Sequence, residues 1–199
     1  MNPKTLLPLC VVLALGLSAR AQAAPKTRVA TFAGGCFWCM TPPFEKLDGV
    51  LKVVAGYTDG QGPNPTYEDY GDKGYTEGIQ VTYDPKKITY SQLVDVFWRQ
   101  INPTDPNGQF VDRGPHYRAA IFYHDAMQKQ VAERSRRDLD RSGRYDKPIV
   151  VPIKPYVNFF PAEDYHQDYY KKNPLHYELY HSHSGRDEYL DKVWGASKH

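Results

Sequence analysis

The stretch Arg28-Val29-Ala30-Thr31-Phe32-Ala33-Gly34-Gly35-Cys36-Phe37-Trp38-Cys39-Met40 decides the fold. Its first half is short and apolar and stops at two glycines, which is how a buried strand reads. Beyond Gly34-Gly35 the pattern predicts a helix starting near Cys36 and running to about residue 47. Phe37, Phe44 and Leu47 are among its apolar positions. Pro42-Pro43 falls in the early turns, where proline is better tolerated than in an interior. A strand that delivers two cysteines to the start of a helix leaves four readings open: a structural disulfide, a metal clip, a thioredoxin-like redox pair, or a nucleophile with its own resolving partner.

Outward from that point the chain alternates between strands and helices. Residues 50–57 form a β-branched run, and 78–83 (GIQVTY) alternate; both read as strands. Residues 56–65 are rich in Gly, Pro, Asp and Asn and read as a loop. Thr89 and Gln92 fit a capping box, and Leu93, Val94, Phe97, Trp98 and Ile101 then recur at helical period. A second long polar loop covers 102–118. A strand at 119–123, a polar surface helix at 125–142, a strand at 149–153 and a short helix near 164–170 follow. The tail from residue 173 is rich in His, Tyr and Ser and shows little periodicity. Strand, helix, strand, strand, helix, strand is the split-βαβ order of ferredoxin-like folds. The expected fold is therefore an α/β (α+β) two-layer sandwich with a ferredoxin-like core, an added helix and a long irregular C-terminal tail.

The N-terminus reads differently. Lys4 precedes an apolar run, Leu6 to Leu17, and Ala21-Gln22-Ala23 fits a small-x-small cleavage site. Twelve positions interrupted by Pro8 are too few to span a bilayer. Residues 1–23 are expected to be a secretory signal, followed by one catalytic domain over 24–199, with its core at about 28–172 and a tail at 173–199. Cleavage removes Lys4 and Arg20, so Lys and Arg fall from 25 to 23 and match the 23 Asp and Glu. A formally neutral mature chain gives no electrostatic case for nucleic acid or an anionic membrane. Cysteines fall from three to two, Cys36 and Cys39.

An exported chain with one close cysteine pair is not a disulfide scaffold. So small a loop stabilises little when closed. A zinc clip needs about four ligands, and only histidines remain to supply two of them. His181-Ser182-His183 fits no zinc pattern, and no metal site is expected. On the first turn of a helix, Cα atoms three residues apart are about 5 Å apart, within disulfide range. The free N–H groups and dipole of a helix N-terminus also favour a thiolate. Phe37 and Trp38 put an apolar surface beside the thiol, which suits a small apolar group arriving at sulfur.

GGCFWC resembles the catalytic motif of the A-type peptide methionine sulfoxide reductases. In order along the chain, NPTYED (64–69), GYTEGIQVTYDP (74–85), DRGPHYRAAIFY (112–123) and AEDYHQDYY (162–170) resemble further segments of that family. The resemblance covers about residues 28–172. It implies reduction of methionine-S-sulfoxide, free or in proteins, with Cys36 as the nucleophile that becomes a sulfenic acid. Glu77 would be the acid serving the departing oxygen, Tyr67 and Tyr117 hydroxyl donors to that oxygen, Phe37 and Trp38 the methyl pocket, and Asp112 an organiser of substrate contacts.

Many members of the family carry glycine at position 39 and resolve with tail cysteines. This tail has none, so the resemblance assigns Cys39 to resolve as a Cys36–Cys39 disulfide. A thioredoxin-like dithiol then restores the enzyme, with no bound cofactor. Tyr75-Thr76 ahead of Glu77 and a shortened 67–77 loop depart from the family pattern. The implied enzyme is an exported, periplasmic or secreted monomer acting on oxidised proteins and peptides. A general thiol-disulfide oxidoreductase using the CFWC pair is the competing reading.

Overall fold

A computed structural model of the chain describes residues 27–195; the expected signal segment lies outside the described residues. Strand β1 (Arg28–Gly34) runs into helix α1 (Phe37–Glu45), then β2 (Val50–Thr58), β3 (Thr76–Tyr83) and α2 (Tyr90–Trp98). A two-residue hairpin, β4 (Gly108–Gln109) with β5 (Asp112–Arg113), lies inside the second polar loop. Next come β6 (Ala119–Tyr123), α3 (Ala126–Arg141), β7 (Ile153–Pro155), β8 (Phe159–Pro161) and the one-turn α4 (Tyr169–Lys172). Two C-terminal helices close the chain, α5 (Pro174–Ser182) and α6 (Arg186–Trp194). Among the described residues no helix is long and apolar enough to cross a membrane.

The sheet runs β7-β6-β1-β3-β2-β8. Its inner four, β6-β1-β3-β2, are antiparallel neighbours in the ferredoxin-like arrangement, and β7 joins β6 in parallel. β1 sits centrally, with Ala30, Thr31, Phe32 and Ala33 all fully buried, so it reads as a continuous apolar run rather than an alternating one. Phe32 binds the layers together: its ring lies 5.3 Å from Phe44 of α1 and 5.2 Å from Phe97 of α2. The Thr89–Gln92 capping box starts α2 as its sequence suggests.

Several expectations change. The strand expected at 149–153 begins only at Ile153, because Pro148 and Pro152 carry no N–H for a ladder. The helix expected at 164–170 is turns until Tyr169, since Asp168 adopts a left-handed φ of 54°. The tail is not irregular. Pro174 opens α5 at a position where its missing N–H costs nothing, and Gly185 opens α6 with φ of 77°. Its few inward anchors are Tyr177, Arg186 and Leu190, too sparse and mixed to register as an apolar stripe.

Candidate active site

Gly34 and Gly35 shape the turn that ends β1. A Cβ on Gly34 would come within 2.5 Å of the Met40 sulfur, and Gly35 holds a φ of 80° that favours glycine. A Cβ there would also meet the Gln109 Cβ at 2.7 Å. Gln109 is fully buried, and its amide is fixed by both the N–H and the carbonyl of Asn102. The hairpin inside the long loop thus braces the glycine turn. Cys36 is the N-cap of α1, and its carbonyl accepts from the N–H groups of Cys39 and Met40 at 3.1 and 3.2 Å. Both cysteines are reduced and buried.

Glu77 lies inside β3, opposite Tyr57, rather than at a loop edge as its sequence position suggests. Its carboxyl is 2 % exposed. One oxygen accepts the Phe37 N–H at 2.9 Å, and the other meets the Tyr70 hydroxyl at 3.0 Å. Burial, and next the proximity of Cys36, push its pKa well above the usual carboxylate range, against the pull of those two hydrogen bonds. Burial thus favours the protonated carboxyl, and the two contacts hold it in one orientation. The sequence singled out Tyr67, not Tyr70. A turn over 66–70 puts the two rings on one face, 5.9 Å apart; this three-residue spacing was the signal available for Tyr70. Tyr67 sits at the rim, its N–H on Glu163 and its ring 4.5 Å from His166. Tyr117 neighbours Tyr70, and burial followed by Glu77 raises its pKa. A cleft of about 260 Å³ lined by Tyr67, Tyr70, Asp72 and His116 opens on this side.

The thiols depart from the simple helix-terminus expectation. Burial pushes Cys36 well up, reinforced by the adjacent Cys39 sulfur. The Phe37 N–H that a terminus would aim at a thiolate is taken by Glu77. Cys39 moves the other way, lowered first by the hydrogen bond from the Cys36 thiol and then, against burial, by the charge of Arg186. Of the two thiols, Cys36 is therefore the one disposed to keep its proton and Cys39 the one disposed to lose it.

Phe37 is buried against His166 and Tyr57, with ring centroids 4.9 and 6.1 Å away. Trp38 stacks on Tyr169 at 3.7 Å and 6° and donates its indole N–H to His166 at 3.1 Å. Tyr180 of α5 meets Trp38 edge-on, and its hydroxyl contacts both oxygens of Asp112 at 2.6 and 2.7 Å. Tyr180 also restrains, as the smallest of the causes at work, the upward shift of Cys36. Its single proton can serve only one acceptor at a time. Burial raises the pKa of Asp112, while Tyr180 and Arg186 restrain the shift. The structure therefore gathers Cys36, Cys39, Phe37, Trp38, Glu77, Asp112 and Tyr117 around one point, with Tyr67 at the rim. It adds Tyr70, His166, Tyr180 and Arg186. Among the described residues no group of three His, Cys, Asp or Glu side chains is placed to hold a metal.

Residues 28–198 match the family model described as peptide methionine sulfoxide reductase. The chain is 54 % identical over 167 residues to a protein of Listeria monocytogenes serotype 4a (strain HCC23) described as peptide methionine sulfoxide reductase MsrA. That match covers 83 % of this chain and 94 % of the relative. The fold superposes with a TM-score of 0.70 on the reduced form of Mxr1 from Saccharomyces cerevisiae, at 31 % identity, covering 75 % of this chain and 87 % of the other. Mxr1 in complex with Trx2 is matched at a TM-score of 0.52 and 27 % identity, over 72 % and 85 % of the two chains.

Proposed function

The chain belongs to the peptide methionine sulfoxide reductase family, and from that premise we propose how its own residues carry out the reduction of methionine-S-sulfoxide. The observation that carries the reading is Glu77: a buried carboxyl whose pKa burial raises, clamped by Phe37 N–H and Tyr70 OH beside a buried thiol pair. A sulfoxide oxygen needs a proton as it leaves sulfur, and a carboxylic acid kept protonated by burial supplies one.

Cys36 attacks the sulfoxide sulfur, and Glu77 protonates the oxygen. In balance, Cys36–SH and the sulfoxide give Cys36–SOH and methionine; two electrons pass from the Cys36 sulfur to the substrate. Tyr117 and Tyr67 donate to the same oxygen, and Phe37 and Trp38 bound the methyl group. Asp112 organises the substrate contacts. Cys39 then attacks the Cys36 sulfur; the S–S bond forms, the S–O bond breaks, and hydroxide leaves as water with the Cys39 proton. A dithiol of the thioredoxin type reduces the disulfide by exchange, in keeping with the Mxr1–Trx2 complex among the similar structures. Oxidised proteins and peptides are the substrates, and no bound cofactor takes part.

The same proposal includes export of a monomer by the 1–23 signal to the periplasm or beyond, which cell fractionation, N-terminal sequencing and sizing of the mature protein test. The test of the chemistry is Cys36→Ser with a methionine sulfoxide peptide. The expected result is no methionine formed; retained reduction would remove Cys36 from the mechanism. Insulin reduction without sulfoxide reduction would instead favour a general disulfide oxidoreductase.

A further inference from the structure

Arg186 is the least expected residue in the molecule. It opens α6, comes from the tail expected to be irregular, and is 1 % exposed. One guanidinium nitrogen donates to the carbonyl of Gln100 and the other to the carbonyl of Gly34 at 3.3 Å. The plane covers the Phe110 ring at 4.6 Å, and Nε is buried with no partner. Among the described residues no carboxylate lies within ion-pair distance of it. Nη2 sits 3.4 Å from the point where a Cβ on Gly35 would be, so the charge lies against the turn that carries Cys36.

A buried cation without a counterion is costly. Two carbonyls and a ring face hold the guanidinium, but none of them neutralises it. The groups whose anions gain from the charge are Cys39, Asp112, whose carboxyl is already engaged by Tyr180, and Tyr177, whose phenol burial keeps protonated. Cys39 is the sulfur that must become an anion when Cys36 has become a sulfenic acid and no longer offers it a thiol proton.

We propose that Arg186 is a positioning residue for the resolving step, holding negative charge on Cys39 as that sulfur displaces hydroxide from the Cys36 sulfenic acid. The step balances as above: one S–S bond made, one S–O bond broken, water released, with no external reactant. The inference rests on the proposed assignment of Cys39 as the resolver. The other ionisable groups facing this charge are Cys36, Glu77 of β3, Asp112 of β5, and Tyr177, Tyr180 and His181 of α5.

The test uses the reduced full chain and one equivalent of a methionine sulfoxide peptide, with rapid quenching. Methionine release and the Cys36–Cys39 disulfide are read separately by mass spectrometry over a range of pH. In Arg186→Met, methionine release in the first turnover slows less than disulfide formation does. Disulfide formation slows about tenfold at neutral pH and recovers as pH rises, its midpoint displaced upward by about one unit. Arg186→Lys restores most of the rate. Unchanged disulfide kinetics and midpoint in Arg186→Met overturn the proposal. So does a Lys variant as slow as the Met variant.

Because Arg186→Met removes two backbone contacts, Cys36→Ser with Arg186 intact gives a second measure. The alkylation of Cys39 by iodoacetamide, read on its own peptide, should show a midpoint below the ordinary thiol value of about 8.5. A midpoint at or above that value overturns the proposal without any change to Arg186. Wild-type protein that releases no methionine at all sinks the functional reading instead, and the two failures are distinct.

Discussion

Replacing Glu77 with glutamine separates its two jobs. The amide oxygen still accepts the Phe37 N–H, and the amide nitrogen faces Tyr70, whose hydroxyl can turn its proton towards Tyr117. Packing at this fully enclosed position is preserved, so the variant should fold. What disappears is the transferable proton. General acid catalysis by a positioned side chain contributes about 10²- to 10⁴-fold, about 3 to 5 kcal/mol of barrier. In a steady-state assay with a sulfoxide peptide and thioredoxin, kcat should fall by that factor with KM little changed.

The pH dependence gives the sharper readout. The folded pKa of Glu77 lies above its unfolded value. Wild-type activity should therefore be lost as pH rises through the folded value, and the glutamine variant should lack that limb. Stability has the same sign: the folded state binds the extra proton between the two pKa values, so the contribution is present below the unfolded value and fades as pH rises through the folded one. Glu77→Gln should flatten that slope in denaturant titrations. Activity within tenfold of wild type, with an unchanged alkaline limb, would refute the general-acid role.

Cys39→Ser should release about one methionine per enzyme and then stop with thioredoxin as reductant, as single-turnover and multiple-turnover assays will show; normal turnover removes Cys39 as resolver. Tyr180→Phe removes the hydroxyl that bonds Asp112 and restrains the upward shift of Cys36. It should lower kcat/KM by about tenfold, the worth of one charge-assisted hydrogen bond, and raise the pH at which Cys36 is alkylated. An unchanged alkylation profile would leave Tyr180 as packing alone.

The core of the fold was legible because its residues obey simple periods. β1, β3 and β6 are unbroken apolar or alternating runs, and α2 announces itself with Thr89, Gln92 and an apolar face. The CFWC turn was legible because two glycines and a cysteine pair are rare neighbours. Tyr70 was hidden among sixteen tyrosines until its hydroxyl was seen on Glu77. The C-terminal helices were illegible for a physical reason. Apart from Leu190 and Trp194, they are held by Tyr177, Tyr180 and Arg186, polar-tipped side chains that pack against a site rather than a core, while Leu175 and Leu179 point outward. A hydrophobic period cannot find a helix whose inward face is phenol and guanidinium. The expected export signal, residues 1–23, lies outside the described residues.

The setting of Trp38 has one more consequence. Its indole is stacked flat on Tyr169, hydrogen-bonded to His166, and met edge-on by Tyr180 and His176. The other two tryptophans, Trp98 and Trp194, stand in a separate cleft between α2, α3 and α6. One of the three indole fluorophores is thus embedded in the wall beside the reacting sulfur. A methyl group entering there, or a disulfide closing one residue away, changes the quenching partners of that ring alone. The enzyme carries its own optical reporter of occupancy and redox state, and its emission can follow a single catalytic cycle without an added label.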